Sequence, residues 1–234
     1  MKVIFMGEKL EHLGIIMDGN RRFAKRLLKK PWNGHSWGAR KVEKVLDWCY
    51  EQKIHIVTLY ALSLENINTR SKKELDFLLD LFKKELTSEN FHNKIHKNKT
   101  CVRFFGKLEL LPDELQKVLQ NIVETTKNYN STYLNFAIAY SGRQELIDAI
   151  KKLDKKEIDS LDIKQFEKKL YTQCIKDPDL IIRTSGEKRS SGFLLWQSAY
   201  SEYCFIDKLW PELDKKDFMA AIDDYKKRQR RFGC

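Results

Sequence analysis

The sequence lacks the features that mark disulfide-rich, zinc-binding and membrane-spanning proteins. Its five cysteines are far apart and none forms a CxxC pair, which argues against a disulfide framework or a zinc site. No apolar run approaches the roughly 20 residues that span a bilayer, and residues 1–12 contain no stretch apolar enough for a signal peptide. Only 10 glycines and 4 prolines are present, and no linker or repeat is visible. We therefore expect a cytoplasmic protein that folds as a single domain over residues 1–234.

Positive charge is in excess. The chain has 44 Lys and Arg against 33 Asp and Glu, a formal net charge of +11. This excess favours an anionic partner such as a phosphorylated small molecule, an anionic membrane surface or a nucleic acid. The basic residues are scattered along the chain and no nucleic-acid-binding signature accompanies them. A basic nucleic-acid-binding protein is therefore the weakest of these alternatives.

Strand-like apolar runs alternate with helix-like patterns along the chain. The runs predict strands at residues 13–17, 54–61, 101–105, 134–140, 180–183 and 203–206. Between them, apolar residues recur at helical spacing, as at Val42, Val45, Leu46 and Cys49. This alternation predicts a single α/β domain with a central, mostly parallel β-sheet flanked by helices. Ligands of such sheets bind at the carboxyl ends of the strands.

The first predicted strand ends in a segment suited to an anionic ligand. Asp18 follows the strand, where a carboxylate can hold a metal or accept a proton. Gly19 permits close approach of a ligand to the backbone. With Asn20 as N-cap, Arg21 and Arg22 would begin a helix whose free N–H groups, together with the two guanidiniums, form a cradle for a diphosphate. A simple capped turn is the alternative interpretation.

Polar residues also follow the second predicted strand. Ser63, Glu65 and Asn66 lie within four residues of one another and could bind a ligand. They could equally form a turn before a capping box in which Ser71 pairs with Glu74.

The most polar cluster begins at Arg183 and contains Arg189 and Ser191. Its cations, hydroxyls and glycines have the composition of an anion site, although the spacing is not that of a P-loop. Glu202 lies beside the last predicted strand. We expect Asp18 and Glu202 to share a Mg²⁺ ion that bridges diphosphate oxygens, because Mg²⁺ favours few carboxylates together with phosphate and water.

Together these motifs resemble the cis-prenyltransferase family, most closely its bacterial undecaprenyl diphosphate synthases. The resemblance covers nearly the whole chain and is carried by HLGIIMDGNRRFA, TLYALSLEN, YSGR, DLIIRTSGEKRSSGFLLWQSAYSE and RRFG. It implies Mg²⁺-dependent condensation of isopentenyl diphosphate onto farnesyl diphosphate with new double bonds in cis. The implied product is a long-chain, undecaprenyl-type diphosphate, the lipid-carrier precursor for cell-wall peptidoglycan. The resemblance further implies a parallel-sheet α/β fold with an apolar tunnel, a homodimer, transient contact with the membrane and no nucleic-acid partner.

The resemblance also assigns roles to individual residues. The implied catalytic residues are Asp18 and Asn66, and the implied metal ligands are Asp18 and Glu202. The allylic diphosphate would be bound by Gly19, Asn20, Arg21, Arg22, His35, Ser63 and Glu65. Isopentenyl diphosphate would be bound by Arg183, Arg189 and Ser191. Arg231 and Gly233 match a C-terminal motif that reaches toward the partner in the dimeric family. Candidate tunnel residues, which could equally be ordinary core, are Ala61, Leu78, Phe82, Val102 and Phe104.

Two departures from the family pattern concern the allylic site. Pro31 stands where many members have an arginine, and Thr69 stands where another is usual, with Arg70 one place later. We hypothesise that Arg21 and Arg70 partly replace the missing cations. A non-catalytic scaffold subunit of the family is the main alternative. Such subunits typically lack the catalytic aspartate, which is present here as Asp18.

Overall fold

A six-stranded sheet, parallel throughout, forms the centre of the protein. The structure is a computed structural model that describes residues 9–228. The strands are β1 (His12–Ile16), β2 (Ile56–Ser63), β3 (Thr100–Phe105), β4 (Thr132–Tyr140), β5 (Leu180–Thr184) and β6 (Glu202–Ile206), in the spatial order β3-β4-β2-β1-β5-β6. The predicted fold class is confirmed, and every predicted strand overlaps an observed one.

Helices connect the strands, and several begin at a side-chain cap. They are α1 (Asn20–Arg26), α2 (Gly34–Glu51), α3 (Leu64–Thr69), α4 (Lys72–Leu86), α5 (Glu89–Lys97), α6 (Asp113–Thr126), α7 (Gly142–Lys151), α8 (Lys155–Asp159), α9 (Ile163–Glu167) and α10 (Lys215–Lys227). Ser63, Ser71 and Ser88 cap α3, α4 and α5 by accepting a backbone N–H. No helix between residues 9 and 228 is both long and apolar enough to cross a membrane.

Both faces of the sheet are buried. Successive side chains of a strand point to opposite faces, and here they belong to two different apolar clusters. Ile15 and Ile182 pack in the larger cluster, whereas Ile16 and Ile181 pack in the smaller one. Burial on both faces explains the continuous apolar runs of the sequence. It also leaves the strand ends as the places where polar side chains can reach a ligand.

Two glycines of α2 allow this helix to lie against the start of α1. A Cβ atom at Gly34 would lie 1.8 Å from the carbonyl oxygen of Asn20, and one at Gly38 would lie 2.2 Å from Asn20 Oδ1. The carbonyl of Gly38 also accepts a hydrogen bond from the indole N–H of the buried Trp210, at 2.9 Å. Close packing of α2 therefore fixes the backbone immediately after Asp18.

We expect Gly34→Ala to destabilise the protein, because the new methyl group would clash with the backbone of Asn20, which cannot rotate away as a side chain could. Overpacking of this kind costs about 1–3 kcal/mol. Thermal or urea unfolding would measure the loss. The matched control is Ser36→Ala in the same helix, which adds no atoms. Equal stability of Gly34→Ala and Ser36→Ala would contradict the close approach.

Candidate active site

A cavity of about 750 Å³ opens at the carboxyl ends of β1 and β2 and continues between α2, α4 and α5. Its volume lies within the range usual for small-molecule sites. The end of the cavity nearest the strands is polar. This end is lined by ten residues named as site candidates or as their substitutes: Asp18, Asn20, Arg21, His35, Ser63, Glu65, Asn66, Arg70, Arg183 and Ser191. Residues separated by up to 173 positions in the sequence therefore meet around one space.

Asp18 is held from three sides. Arg183 Nη2 donates to Asp18 Oδ2 at 2.7 Å, while the Asp18 carbonyl accepts from Thr184 Oγ1 at 2.7 Å and from the Trp210 N–H at 2.9 Å. Burial opposes ionisation of this carboxyl group. The hydrogen bond and positive charge of Arg183, together with the charge of Arg22, outweigh burial and hold the pKa of Asp18 below its usual value. Asp18 is therefore ionised at neutral pH.

Arg183 also organises the loop that follows β5. Its Nη1 donates to the Arg189 carbonyl at 2.6 Å and to Ser191 Oγ at 2.8 Å. Only 4% of Arg183 is exposed, so its charge is compensated mainly by Asp18 and these oxygens. One guanidinium thus joins the end of β1, the end of β5 and the loop to Ser191.

A second ionic cluster faces the cavity from α1, α2 and α4. Arg21 Nε and Arg70 Nη1 each lie 3.5 Å from Glu74 Oε1, and Arg70 Nη1 also donates to His35 Nε2 at 3.2 Å. Burial, with the charges of Arg70 and Arg21, lowers the pKa of His35 to about 3. The histidine is therefore neutral, and two cations share one carboxylate beside the cavity.

Glu74 was missed as a site residue. Only half of the expected capping box forms: Ser71 caps α4 by accepting the Glu74 N–H at 3.3 Å, without a return bond from the Glu74 side chain to the Ser71 N–H. The Glu74 side chain, however, is buried among the arginines. A signal was available in the sequence, because Glu74 lies one turn before Leu78 on the apolar face of α4, where an unpaired carboxylate would be costly.

The start of α1 differs from the prediction. Gly19, in the left-handed region at φ 108°, is the N-cap, and Asn20 is the first helical residue with no side-chain cap. Asn20 Nδ2 instead donates to the Met17 carbonyl at 3.3 Å. A Cβ atom at position 19 would lie 2.9 Å from Leu209 Cβ. The glycine is therefore required by both its backbone angle and its surroundings.

Three predicted binding residues, Gly19, Arg22 and Arg189, are not part of the cavity wall, and two of them are arginines. Arg22 donates to the Ser185 carbonyl at 3.2 Å and lies 3.8 Å from Asp18 Oδ2. Arg189 is exposed and pairs with Glu187 at 2.5 Å, and Glu187 in turn lies 3.6 Å from Arg22. Both arginines therefore belong to an ionic network beside Asp18.

Beyond its polar end, the cavity is apolar. Of the expected tunnel residues, Ala61, Leu78 and Phe82 line it. The expectation for Val102 and Phe104 is wrong. These residues lie on β3, the edge strand of the sheet; Val102 is completely buried in the core and Phe104 stacks on Phe136. Their place in the wall is taken by residues of β4, α2 and α5: Phe136, Ile138, Val42, Leu46 and Phe91.

The far end of the cavity becomes polar again. Glu43 and Glu85 line it there, and burial, with the charge of Glu43, raises the pKa of Glu85. Asn90 Nδ2 donates to Glu43 Oε1 at 2.7 Å, and Lys94 Nζ donates to the Glu43 carbonyl at 2.9 Å. Glu85 lies eleven residues beyond Glu74 on α4, about 16 Å at the helical rise of ~1.5 Å per residue. The apolar section therefore has polar groups at both ends.

Known proteins share this chain's sequence and architecture. A family model described as "Putative undecaprenyl diphosphate synthase" matches residues 16–233. The chain belongs to the cis-prenyltransferase family. A tritrans,polycis-undecaprenyl-diphosphate synthase (geranylgeranyl-diphosphate specific) from Methanopyrus kandleri is 47% identical over 233 residues, which cover 97% of this chain and 86% of that protein. The protein of the same name from Thermoplasma acidophilum is 49% identical over 228 residues, covering 95% and 88%.

Two solved structures extend the comparison. Lavandulyl diphosphate synthase from Lavandula x intermedia, in complex with dimethylallyl diphosphate, superposes with a TM-score of 0.91 at 30% identity, covering 97% of this chain and 99% of that one. A probable undecaprenyl diphosphate synthase from Campylobacter jejuni gives 0.79 at 32% identity, covering 97% and 100%. The expectation of a prenyltransferase with the cis-prenyltransferase fold is therefore confirmed.

Glu202 is not where the expected metal pair requires it. Glu202 begins β6 and is in register with Leu180, which pairs with Leu13 of β1. Asp18 lies five residues beyond Leu13, about 16 Å away at ~3.3 Å per residue, at the opposite end of the parallel sheet. Glu202 instead accepts from Arg228 Nη1 at 2.7 Å. Asp18 and Glu202 of one chain therefore cannot share a Mg²⁺ ion.

The residues around Asp18 still fit Mg²⁺ in another way. Between residues 9 and 228, no group of three His, Cys, Asp or Glu side chains could hold a metal alone. Mg²⁺ commonly binds one or two carboxylates and takes its remaining ligands from substrate phosphates and water. The ionised Asp18, facing the cavity, is suited to that arrangement.

The predicted C-terminal motif residues Arg231 and Gly233 lie outside the described residues.

We expect Arg183→Gln to raise the pKa of Asp18, because the stabilising charge is lost while burial remains. At neutral pH, the variant should lose about 2 kcal/mol of unfolding free energy, less than the ~3–5 kcal/mol of a fully buried broken pair because Asp18 is partly exposed. The pair stabilises the fold only while Asp18 is ionised, so the difference between the two proteins should shrink as pH falls below about 4.

Carbon NMR titration of labelled aspartates would follow the pKa, and urea unfolding at several pH values would follow stability. Lys188→Gln, which removes an exposed cation from the same loop, is the control and should change neither. A pKa of Asp18 that is the same in Arg183→Gln as in the parent would contradict the role given to the pair.

Proposed function

We propose that the protein lengthens an allylic diphosphate by successive cis additions of isopentenyl diphosphate, giving a long polyprenyl diphosphate. One observation carries the proposal: a single cavity joins a cationic polar end containing Asp18 to an apolar section lined by β4, α2, α4 and α5. That shape matches an amphiphile with a diphosphate head and an isoprenoid tail. Each tail CH₂ buried in the apolar section would contribute about 0.8 kcal/mol.

For the primer, we propose geranylgeranyl diphosphate. The family resemblance had implied farnesyl diphosphate as the primer instead. The relatives at 47% and 49% identity are named as specific for geranylgeranyl diphosphate, and this supports the longer primer. An undecaprenyl-length product follows from the same names. Its use as a glycan carrier for cell-wall peptidoglycan stays a prediction.

The proposed reaction breaks the allylic C–O bond, so negative charge develops on the departing diphosphate. Arg21 and Arg70, beside the neutral His35, would stabilise that charge, because fixed cations in a partly buried site need no reorganisation. Asp18 is the residue that would hold Mg²⁺, whose charge would screen the diphosphate oxygens. Gly19 and Asn20 would bring backbone N–H groups to the same oxygens.

The second substrate would lie on the other side of Asp18. We propose that Arg183, Ser191 and the ionic network of Arg189 bind isopentenyl diphosphate, whose terminal carbon forms the new C–C bond. The electron pair of its terminal C=C bond joins the allylic carbon of the primer as the C–O bond of the primer breaks and pyrophosphate leaves. The positive charge left on the inner alkene carbon of isopentenyl diphosphate is then removed by loss of a proton from the adjacent CH₂ group, which forms the new double bond. Ser63 Oγ accepts the Asn66 N–H at 3.1 Å, which fixes the start of α3. The Asn66 side chain, with Glu65, would orient the carbon that loses the proton.

Three further assignments belong to this proposal. The whole chain, residues 1–234, would act as one catalytic domain in the cytoplasm. Ala61, Leu78 and Phe82 would contact the growing chain. The enzyme would work as a homodimer in which the segment containing Arg231 and Gly233 contacts the partner subunit. Glu202 does not line the cavity of its own chain. It would act at a distance from the chemistry or through the partner subunit.

The test is a product assay. Purified protein is incubated with labelled isopentenyl diphosphate, Mg²⁺ and either geranylgeranyl or farnesyl diphosphate, and chain length is read by chromatography. We expect a long polyprenyl product, formed faster from geranylgeranyl diphosphate, that disappears with EDTA and in Asp18→Ala. Faster extension of farnesyl diphosphate would overturn the proposed primer. No incorporation from either primer would favour the non-catalytic subunit.

Removal of Arg21 and Arg70 together should weaken binding of the allylic primer. Charge-assisted hydrogen bonds contribute about 1.5–3 kcal/mol each, so the KM for the primer should rise at least tenfold in the Arg21→Ala, Arg70→Ala variant. The KM for isopentenyl diphosphate should change much less. Arg40→Ala, an exposed cation on α2, is the control, and thermal unfolding verifies that the double variant is folded. An unchanged KM for the primer would refute the hypothesis that Arg21 and Arg70 replace the two arginines usual in the family.

A further inference from the structure

The connection after α1 exposes two leucines without a structural reason. Leu27 and Leu28 are 47% and 95% exposed, and Leu28 is the most exposed large apolar residue described. Leu28 also has a φ of 54°, a conformation that usually belongs to glycine or asparagine at the end of a helix. The Lys29 N–H donates to the Ala24 carbonyl at 3.0 Å, which holds this turn at the end of α1. The backbone thus holds a large apolar side chain out in solvent.

Cations surround these leucines. From Gly19 to Val42 the sequence contains eight lysines and arginines and no acidic residue. Arg26 forms an ion pair with Glu212 at 3.1 Å. Lys25, Lys29 and Lys30, by contrast, form no ion pair with any residue that the structure describes. Lys30 Nζ lies 5.6 Å above the ring of the half-buried Trp32.

We propose that residues 25–32 dock the protein on the surface of an anionic lipid bilayer. The leucines would enter the headgroup region, the three lysines would contact lipid phosphates, and Trp32 would lie at the interface. Apolar side chains ringed by cations are the chemistry of interfacial membrane binding. Tryptophan is enriched at the same depth.

The charge around the leucines distinguishes this surface from the exposed isoleucines of α8 and α9. Ile158 and Ile163 are 55% and 66% exposed, but the exposed Asp159 and Asp162 lie between them in the sequence. Such a mixed surface has no preference for an anionic bilayer. The 25–32 loop therefore carries the proposal and the isoleucine surface serves as its control.

The loop also lies close to the cavity. Helix α1 has seven residues, so its far end is about 10 Å from Asn20 at ~1.5 Å per residue. The inference rests on the proposed function and deepens it, since an enzyme whose allylic primer and product carry long isoprenoid tails would exchange them at a bilayer surface.

Co-sedimentation of the full chain with vesicles tests the inference. We expect binding to vesicles of equal parts phosphatidylcholine and phosphatidylglycerol, little binding to phosphatidylcholine alone, and weakening with salt. Replacing Lys25, Lys29 and Lys30 by glutamine should weaken binding on the order of a hundredfold. Leu27→Ser with Leu28→Ser should weaken it about tenfold. All five side chains lie outside the proposed substrate site.

The matched controls are Lys155, Lys156 and Lys164 changed to glutamine, and Ile158→Ser with Ile163→Ser. Both control proteins should bind vesicles like the parent. Turnover in detergent is measured on every protein and should be unchanged. A chain that binds through the loop without turnover would sustain the inference while the proposed function fails. Absence of binding to the anionic vesicles, or equal losses in loop and control variants, would overturn it.

Discussion

The polar end of the cavity depends on the ion pair between Asp18 and Arg183. The pair joins the carboxyl ends of β1 and β5, and the remaining donors of Arg183 fix the loop to Ser191. Because Arg183 is almost fully buried, loss of Asp18 would leave a cation without its counter-charge, which is among the costlier changes a protein can undergo. Catalytic charge and local structure are therefore inseparable at this point, and substitutions here must be interpreted with both in mind.

The same helices supply chemistry at one end and shape along their length. Helix α2 contributes His35 to the polar end and Leu46 to the apolar wall, and α4 contributes Glu74 and Phe82 in the same order. Both helices therefore run from the polar end of the cavity into its apolar section. An amphiphilic ligand would be oriented by this gradient before any individual hydrogen bond is made.

The sheet was readable from the sequence because strands buried on both faces leave uninterrupted apolar runs. Strand positions alone predicted the site where residues directly follow a strand, as Asp18 does, whereas His35 and Ser191 were assigned by the family resemblance. Glu202 was misplaced because the family resemblance paired it with Asp18, although Glu202 precedes its predicted strand and Asp18 follows its own, which puts them at opposite ends of a parallel sheet. Val102 was misplaced because an apolar strand residue is equally suited to core and cavity. Helix α5 was missed because it is short and, apart from Phe91 and Ile95, polar. Such features depend on strand order, which only the folded chain specifies.

The close packing of Gly34 and Gly38 on Asn20 has a consequence for how the protein can change. The diphosphate end is built from strand ends and helix backbones in contact, where even one methyl group has no room. The apolar wall is built from side chains of α2, α4 and α5, which can be exchanged singly. Head-group recognition and tail accommodation therefore occupy separately mutable parts of one cavity. A lineage can alter the size of the molecule it handles while inheriting its chemistry intact.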